Sequence, residues 1–401
     1  MSQFSRSLIA WQRRAGRHDL PWQGTRDPYR IWLSEIMLQQ TQVAAVIPYF
    51  ERFVSRYPDV QRLARASLHD VLRLWSGLGY YARARNLHRA ARVVARERGG
   101  RFPDTVEGLA QLPGVGPSTA GAIAAFAFGR PAPILDGNVK RLFARCFGVE
   151  GYPGDAAVAT QLWSLAEAQL PRRAIETYTQ ALMDLGATVC TRTRPQCLRC
   201  PLSAQCVALR EARVQALPAP RPRRALPLRR ETWLVASQGR RVLLERRPSE
   251  GLWGGLWVFP RLASGSRAAD AVRRSLGGKP ASLRRRAPFE HGFTHFRLRV
   301  QPIECAFLAQ PERRPPGTRW MGFAEALRAA QPTPVARLLR AVLSERCAPP
   351  ARRAPTAACA PRRAGPPPRR RCDPARRCRR EHPRSPPTPP RPPHASAAPR
   401  R

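Results

Sequence analysis

The sequence predicts a multidomain chain: an all-α first region, an α/β second region and a disordered tail. Three observations carry this. Residues 1–210 read as mostly helical, residues 231–346 change to strand-like runs mixed with two helices, and residues 347–401 are too rich in Arg, Pro and Ala to build a core. A length of 401 residues suits two or three domains.

The first clear element begins at Asp27-Pro28, an N-cap acid followed by proline at the first helical position. The helix is expected to run through YRIWLSEIMLQQ. Glu35 sits there among Ile31, Trp32, Ile36, Met37 and Leu38. Such a carboxylate is either turned outward to solvent or held in an apolar pocket. In a pocket its pKa rises, and it becomes a proton donor near neutral pH.

Residues 109–129, LAQLPGVGPSTAGAIAAFAFG, read as a tight hairpin between two helices. Gly114 and Gly116 let the turn bring backbone N–H groups to a phosphate at a helix N-terminus. Pro117 opens the second helix, and Ala120, Gly121, Ala124 and Ala125 allow close packing. An ordinary helix–turn–helix corner is the plainer reading.

In PAPILDGNVKRLFARCFG, Asp136 stands at another N-cap. That is a common position for Asp with no other duty, but a helix N-terminus also favours the ionised form. An ionised acid paired with a protonatable one is what cleavage of a glycosidic bond requires. One protonates the leaving group and the other stabilises the cationic sugar.

Cys190, Cys197, Cys200 and Cys206 follow with the spacing C-x6-C-x2-C-x5-C. Four thiolates on so short a loop can enclose one metal centre. Structural zinc usually takes two close pairs, whereas here one close pair has an outlier on each side, a layout that suits a [4Fe–4S] cube. Disulfides are the third reading. The start, MSQFSRSLIAWQRR, lacks the apolar run of a secretory segment, so a reducing, cytoplasmic setting is expected. Arg192, Arg194 and Arg199 make the loop basic.

Residues 211–230 are Pro- and Arg-rich and read as a linker. Beyond it ETWLVAS, RRVLLERR, GLWVFP and FRLRVQPIECAFL look like strands. AADAVRRSLG and TPVARLLRAVLSE look like helices, the latter capped by Thr333 with Pro334 at its first position.

The net charge of +43 points to a polyanionic partner. The tail carries 15 Arg against Asp373 and Glu381, a net +13, which leaves +30 on residues 1–346. No apolar run approaches a membrane span, so no membrane partner is expected.

Taken in order, WLSEIMLQQTQV, SGLGYYARARNL, LPGVGPSTAGAI, ILDGNVKRL and the four-cysteine loop resemble the MutY family of adenine-specific mismatch DNA glycosylases, in the helix-hairpin-helix, iron–sulfur glycosylase superfamily. The resemblance covers about residues 8–210 closely and 231–345 more loosely. It implies a helix-hairpin-helix glycosylase domain with its hairpin at 109–129, an iron–sulfur loop at 190–206 and a Nudix-like second domain.

It also implies roles. Glu35 would protonate adenine and Asp136 would stabilise the sugar cation. Asn138 and Ser118 would lie beside the sugar and help order the water; some relatives have tyrosine at the place of Ser118. Gln40 and Tyr80 would enter the duplex, and Leu20, Trp22 and Leu38 would line the adenine pocket. Lys140 would contact phosphate. Phe293, Thr294 and His295 would inspect 8-oxoguanine opposite the adenine.

The implied substrate is double-stranded DNA with an adenine:8-oxoguanine or adenine:guanine mispair, and the implied state is a monomer. Strand-cleaving relatives similar to endonuclease III carry a nucleophilic lysine where this chain has Ser118, which cannot form a Schiff base. A glycosylase with lyase activity and a non-catalytic iron–sulfur DNA-binding protein are the competing readings. The Nudix catalytic box, a Glu-rich helix that holds magnesium, is missing: the corresponding stretch has one acid, Asp270.

Overall fold

A computed structural model describes residues 1–222, 225–263, 267–311 and 313–347. The order expected for the first region is helical throughout. It contains α1 (Gln3–Ala15), α2 (Pro28–Leu38), α3 (Val43–Arg56), α4 (Val60–Arg65), α5 (Leu68–Leu74) and α6 (Ala82–Glu97). It continues with α7 (Val106–Ala110), α8 (Pro117–Phe128), α9 (Gly137–Phe147), α10 (Ala156–Ala168), α11 (Ile175–Thr188) and α12 (Val207–Arg210).

The local chemistry that starts these helices is the chemistry the sequence advertises. Asp27 accepts from the Tyr29 N–H at the head of α2, and Asp136 accepts from Asn138 and Val139 at the head of α9. The end of α2 differs from expectation. The helix stops at Leu38, and Gln39 and Gln40 form a turn in which Gln40 takes φ +56°. Propensity favours two more helical residues, but the Arg83 guanidinium takes the carbonyls of Ile36, Met37 and Gln39 and so ends the helix from outside.

The second region is a mixed sheet with helices. Its strands are β1 (Leu228–Gln238), β2 (Arg241–Arg246), β3 (Trp257–Val258), β4 (Arg261–Leu262), β5 (Ser282–Arg285), β6 (Phe289–Gly292), β7 (Arg297–Phe307) and β8 (Thr318–Gly322). Its helices are α13 (Ala268–Leu276), α14 (Phe323–Arg328) and α15 (Thr333–Cys347). The main strand order is β3-β2-β1-β7-β5; β4 adds to β1, β6 to β7 and β8 to β2. β1 and β7 run parallel, in register from Leu228 opposite Arg297 to Gln238 opposite Phe307. The other pairs are antiparallel.

Strand alternation sends neighbouring residues of β1 into different cores. Trp233 and Val235 join an apolar cluster shared with Leu72, Trp75 and Leu78 of the helical region. Leu234 and Ala236 pack with α13 on the other face. The sheet therefore packs directly on helices of the first region. Tyr81 donates to the Gln331 carbonyl at 2.8 Å, Ser76 donates to the same carbonyl at 3.2 Å, and Arg85 donates to that of Gly254 at 3.2 Å.

The stretch expected as a linker is held for part of its length. Leu217 is buried, its carbonyl accepts from Arg145, and Ala219 donates to Gly151. Among the described residues no helix is long and apolar enough to cross a membrane. The tail expected to be disordered is 347–401; Cys347 is the last residue of α15, and residues 348–401 lie outside the described residues.

Small residues in α8 set the distance to the strand-like approach to Asp136. Gly121 is buried, and a Cβ there would overlap the Pro133 carbonyl oxygen. In an open helix Gly→Ala gains about 1 kcal/mol. Here the sign should reverse: Gly121→Ala should lower the free energy of urea unfolding by about 1–3 kcal/mol, as overpacking of a tight core does. A stabilised variant would show that this contact yields freely.

Candidate active site

Helix α2 is buried on nearly every side, with Ile31, Trp32, Leu33, Ile36 and Met37 all in the core. Glu35 is its one acid, and it faces a cleft of about 390 Å³. Leu20, Trp22 and Leu38 line the same cleft, with Phe126 from α8 and Gln180 from α11. Trp22 is fixed edge-on to Phe50, with ring centroids 5.4 Å apart.

Burial pushes the Glu35 carboxyl up to about 8, and the charge of Asp136 adds to the rise. Glu35 faces the cleft rather than bulk solvent, and its desolvation favours the protonated form.

Asp136 stands at the N-terminus of α9, outside the residues that line the cleft, and acts on Glu35 through its charge. The Leu135 N–H just before it donates to the Ser118 hydroxyl at 3.0 Å, which ties the approach to the first turn of α8. Asp136 accepts from the N–H groups of Asn138 at 2.9 Å and Val139 at 2.8 Å. The Asn138 side chain accepts from Arg141 and packs where Gly186 of α11 has no side chain; a Cβ there would stand 2.8 Å from the Asn138 Cβ. Ser118, Asp136 and Asn138 are thus brought together around one helix start. Lys140 lies on the same helix and donates to the Pro153 carbonyl at 3.1 Å.

The hairpin between α7 and α8 is exposed at Gly114 and Gly116. Gly114 has φ +82°, and a Cβ on it would meet the Asn86 Cβ at 2.7 Å, so glycine is required for both reasons. Its carbonyl accepts from Gln39, which joins the hairpin to the end of α2. The first N–H groups of α8 have no carbonyl within the helix to bind, and they open outward beside this turn.

Gln40 and Tyr80 are both exposed, and both hold left-handed backbone, at φ +56° and +47°. Non-glycine residues take such conformations rarely, and then mostly where the surroundings enforce them.

All four cysteines of the loop line one narrow space, closed by Leu142, Arg145 and Cys146 of α9. Among the described residues no three Cys, His, Asp or Glu side chains stand close enough to hold a single metal ion. Four thiols around one space match the number of cysteines that a metal centre on such a loop takes. Arg145 is buried and donates to the Cys190 sulfur at 3.4 Å and to the carbonyls of Thr191 and Arg192. Its charge would offset that of the thiolates.

In the second region Phe293, Thr294 and His295 form the turn between β6 and β7, closed by the Phe293 N–H on the Phe296 carbonyl. Thr294 and His295 are exposed at the tip. Phe293 is instead half-buried, stacked on Phe296 with centroids 4.4 Å apart and packed against Trp253 and His291. Helix α13 has Arg273 and Arg274 in its last turn and carries Asp270 as its one acid, so it offers no carboxylate cage for magnesium.

Residues 33–168 match the HhH-GPD superfamily of base excision DNA repair proteins, and residues 232–341 match the NUDIX domain. The chain is 36% identical over 303 residues to an adenine DNA glycosylase of Buchnera aphidicola, covering 75% of this chain and 85% of that protein. It is 35% identical over 401 aligned residues to the adenine DNA glycosylase of Homo sapiens, covering 84% of this chain and 73% of that one. The chain belongs to the adenine DNA glycosylase family. It is a base-excision repair enzyme, with a helical glycosylase domain and a Nudix domain.

Sequence patterns alone passed over several residues of this glycosylase's site. Gln180 and Glu176 of α11 line the cleft, and Glu176 is paired at 2.6 Å with Arg26 near its mouth. Arg83 and Arg145 sit inside basic runs whose other members are half-buried or exposed. Only a polar residue on an otherwise apolar helix face could have marked them.

The protonation of Glu35 has a consequence for stability. The folded state keeps a proton that the unfolded chain loses above about 4.5, so folding weakens as pH rises from about 4.5 to about 8. Glu35→Gln should therefore be more stable than the wild type at pH 8, with the difference shrinking toward pH 5 in urea titrations. A difference independent of pH would place the carboxyl in water.

Proposed function

We propose that the enzyme hydrolyses the N-glycosidic bond of adenine mispaired with 8-oxoguanine or guanine in double-stranded DNA, without strand cleavage of its own. The observation that carries the reading is the acid pair: Glu35, its pKa raised to about 8 in a cleft of about 390 Å³, within Coulomb reach of Asp136. Flipping the adenine into the cleft would place it between Leu20, Trp22 and Leu38. Gln40 and Tyr80 would fill the space left in the stack, offsetting an unstacking cost of a few kcal/mol.

Glu35 then donates its proton to a purine ring nitrogen, and the C–N bond breaks with its electron pair leaving on adenine. The sugar cation is stabilised by the Asp136 carboxylate, beside Asn138 and Ser118. Water adds at the sugar carbon, and its proton returns to Glu35. Ser118 offers no amine for a covalent step. The Lys140 ammonium, turned to the Pro153 carbonyl, suits a phosphate contact.

The exposed turn at Gly114 and Gly116 suits a phosphate of the DNA backbone, as helix N-termini do. Cys190, Cys197, Cys200 and Cys206 would hold a [4Fe–4S] cluster. When bound, it would stiffen the basic loop bearing Arg192, Arg194 and Arg199 against the DNA. Phe293 would support a turn whose Thr294 and His295 inspect the base opposite the adenine.

Duplexes with adenine opposite 8-oxoguanine, adenine opposite guanine and thymine opposite guanine test the reaction, each with and without alkali. Adenine should be released from the first two, and strands should break only after alkali. Glu35→Gln should lose at least about 10²–10⁴-fold in single-turnover release while still binding DNA. Asp136→Asn should also be crippled. Near wild-type release by Glu35→Gln would remove the mechanism.

Metal analysis gives a second test. The protein should be brown, with about four irons per chain; a colourless protein carrying one zinc after anaerobic preparation would refute the cluster. For the opposite base, His295→Ala should narrow the preference for 8-oxoguanine over guanine by about 1–3 kcal/mol, the usual worth of one base-edge contact. An unchanged preference would move that contact elsewhere.

A further inference from the structure

Arg83 lies in the first turn of α6 and is 8% exposed, in a chain whose arginines are otherwise mostly at the surface. Its guanidinium is spent on two loops at once. One terminal nitrogen donates to the carbonyls of Ile36 at 3.1 Å, Met37 at 2.6 Å and Gln39 at 2.6 Å. The other donates to the Thr41 hydroxyl at 2.9 Å and, more weakly, to the Gly79 carbonyl at 3.4 Å. The plane also lies 5.3 Å from the Trp75 ring and 5.4 Å from the Tyr80 ring.

Gln40 sits between two of these acceptors, Gln39 and Thr41. Tyr80 follows a third, Gly79, and touches the cation with its own ring. These are the two exposed residues with left-handed backbone described above. The carbonyls of Ile36 and Met37 belong to the last turn of α2, directly after Glu35, where a cation is favoured by the helix end.

We propose that Arg83 is a positioning residue that locks Gln40 and Tyr80 into one preformed wedge and fixes that wedge to the helix bearing Glu35. The inference rests on the reading of Gln40 and Tyr80 as the residues that enter the duplex, and it adds that the two act as a unit set by a single buried charge. Burial pulls Arg83 down to about 10, which leaves it charged at neutral pH. Its Nε–H has no hydrogen-bond partner. The group is therefore not placed to satisfy every donor, and its other nitrogens are committed to the two loops.

A merely structural arginine and a wedge-setting one differ in which substrate suffers. The test compares single-turnover adenine release from a stacked adenine:8-oxoguanine pair with release from adenine in an unpaired loop, where nothing has to be pushed out of a stack. The variants are Arg83→Lys, which keeps the charge without the fork, and Thr41→Val, which removes one acceptor and leaves the arginine. A duplex with 2-aminopurine at the adenine position reports unstacking by fluorescence.

Arg83→Lys should lose about 10²-fold on the stacked pair, the scale of a misplaced positioning group, with a reduced fluorescence rise, and should stay near wild type on the looped adenine. Thr41→Val should show the same pattern, weaker. Equal losses on both substrates, or no loss on the stacked pair, would overturn the proposal. Gln40→Ala and Tyr80→Ala serve as the separate check on the underlying reading. If neither affects the stacked pair, the wedge assignment itself fails. If both do while Arg83→Lys acts equally on both substrates, only the role of Arg83 is lost.

Discussion

The structure turns on keeping one carboxyl dry within reach of the charge of another. Glu35 must stay out of bulk water for its pKa to rise to about 8, yet it must open on a space that a base can enter. A helix buried on almost every face meets both demands, because its single unburied side becomes the wall of the cleft. The second carboxyl then has to come from another element, since α2 has no other acid. Asp136 is brought in by α9, and the close packing of α8, α9 and α11 decides where that helix begins. Ser118, Gly121 and Gly186 act at this level, each by a hydrogen bond or a missing side chain.

The longer helices carry these local constraints to the rest of the molecule. Helix α9 presents Asp136 at one end, while Arg141 and Arg145 further along bind the carbonyls of Cys190, Thr191 and Arg192. The loop of four cysteines therefore braces the same helix that holds the acid. Helix α6 does the equivalent work on the other side. Its start carries Arg83, and the neighbouring Tyr81 and Arg85 reach backbone carbonyls of the second region. The apolar cluster continues across this boundary, so the sheet is seated on the helices near Tyr80 by packing as well as by hydrogen bonds.

Charge acts on a different scale. Most ion pairs of the described residues are solvent-exposed on at least one side, and such pairs contribute little to stability. Their surplus of arginine matters for the field around the protein, which draws phosphate at long range. The two arginines that matter most for architecture, Arg83 and Arg145, are buried and bind carbonyl oxygens. Nothing in the composition separates them from the rest.

Local sequence determined what depends on near neighbours in the chain. The N-caps at Asp27 and Asp136, the hairpin at Gly114 and Gly116, the strand alternation around Trp233 and the spacing of the four cysteines all follow from steric and hydrogen-bonding rules within a few residues. Tertiary structure decided what depends on groups far apart in sequence. The expected continuation of α2 through Gln40 gives way at Leu38 because a guanidinium more than forty residues later captures its carbonyls. Glu35 becomes an acid rather than a surface charge because the surrounding helices exclude water and Asp136 lies nearby. Part of the expected linker is ordered because Arg145 holds Leu217. Periodicity can announce that a residue is polar in apolar company; the dielectric around it and the partner it meets exist only after the chain has folded.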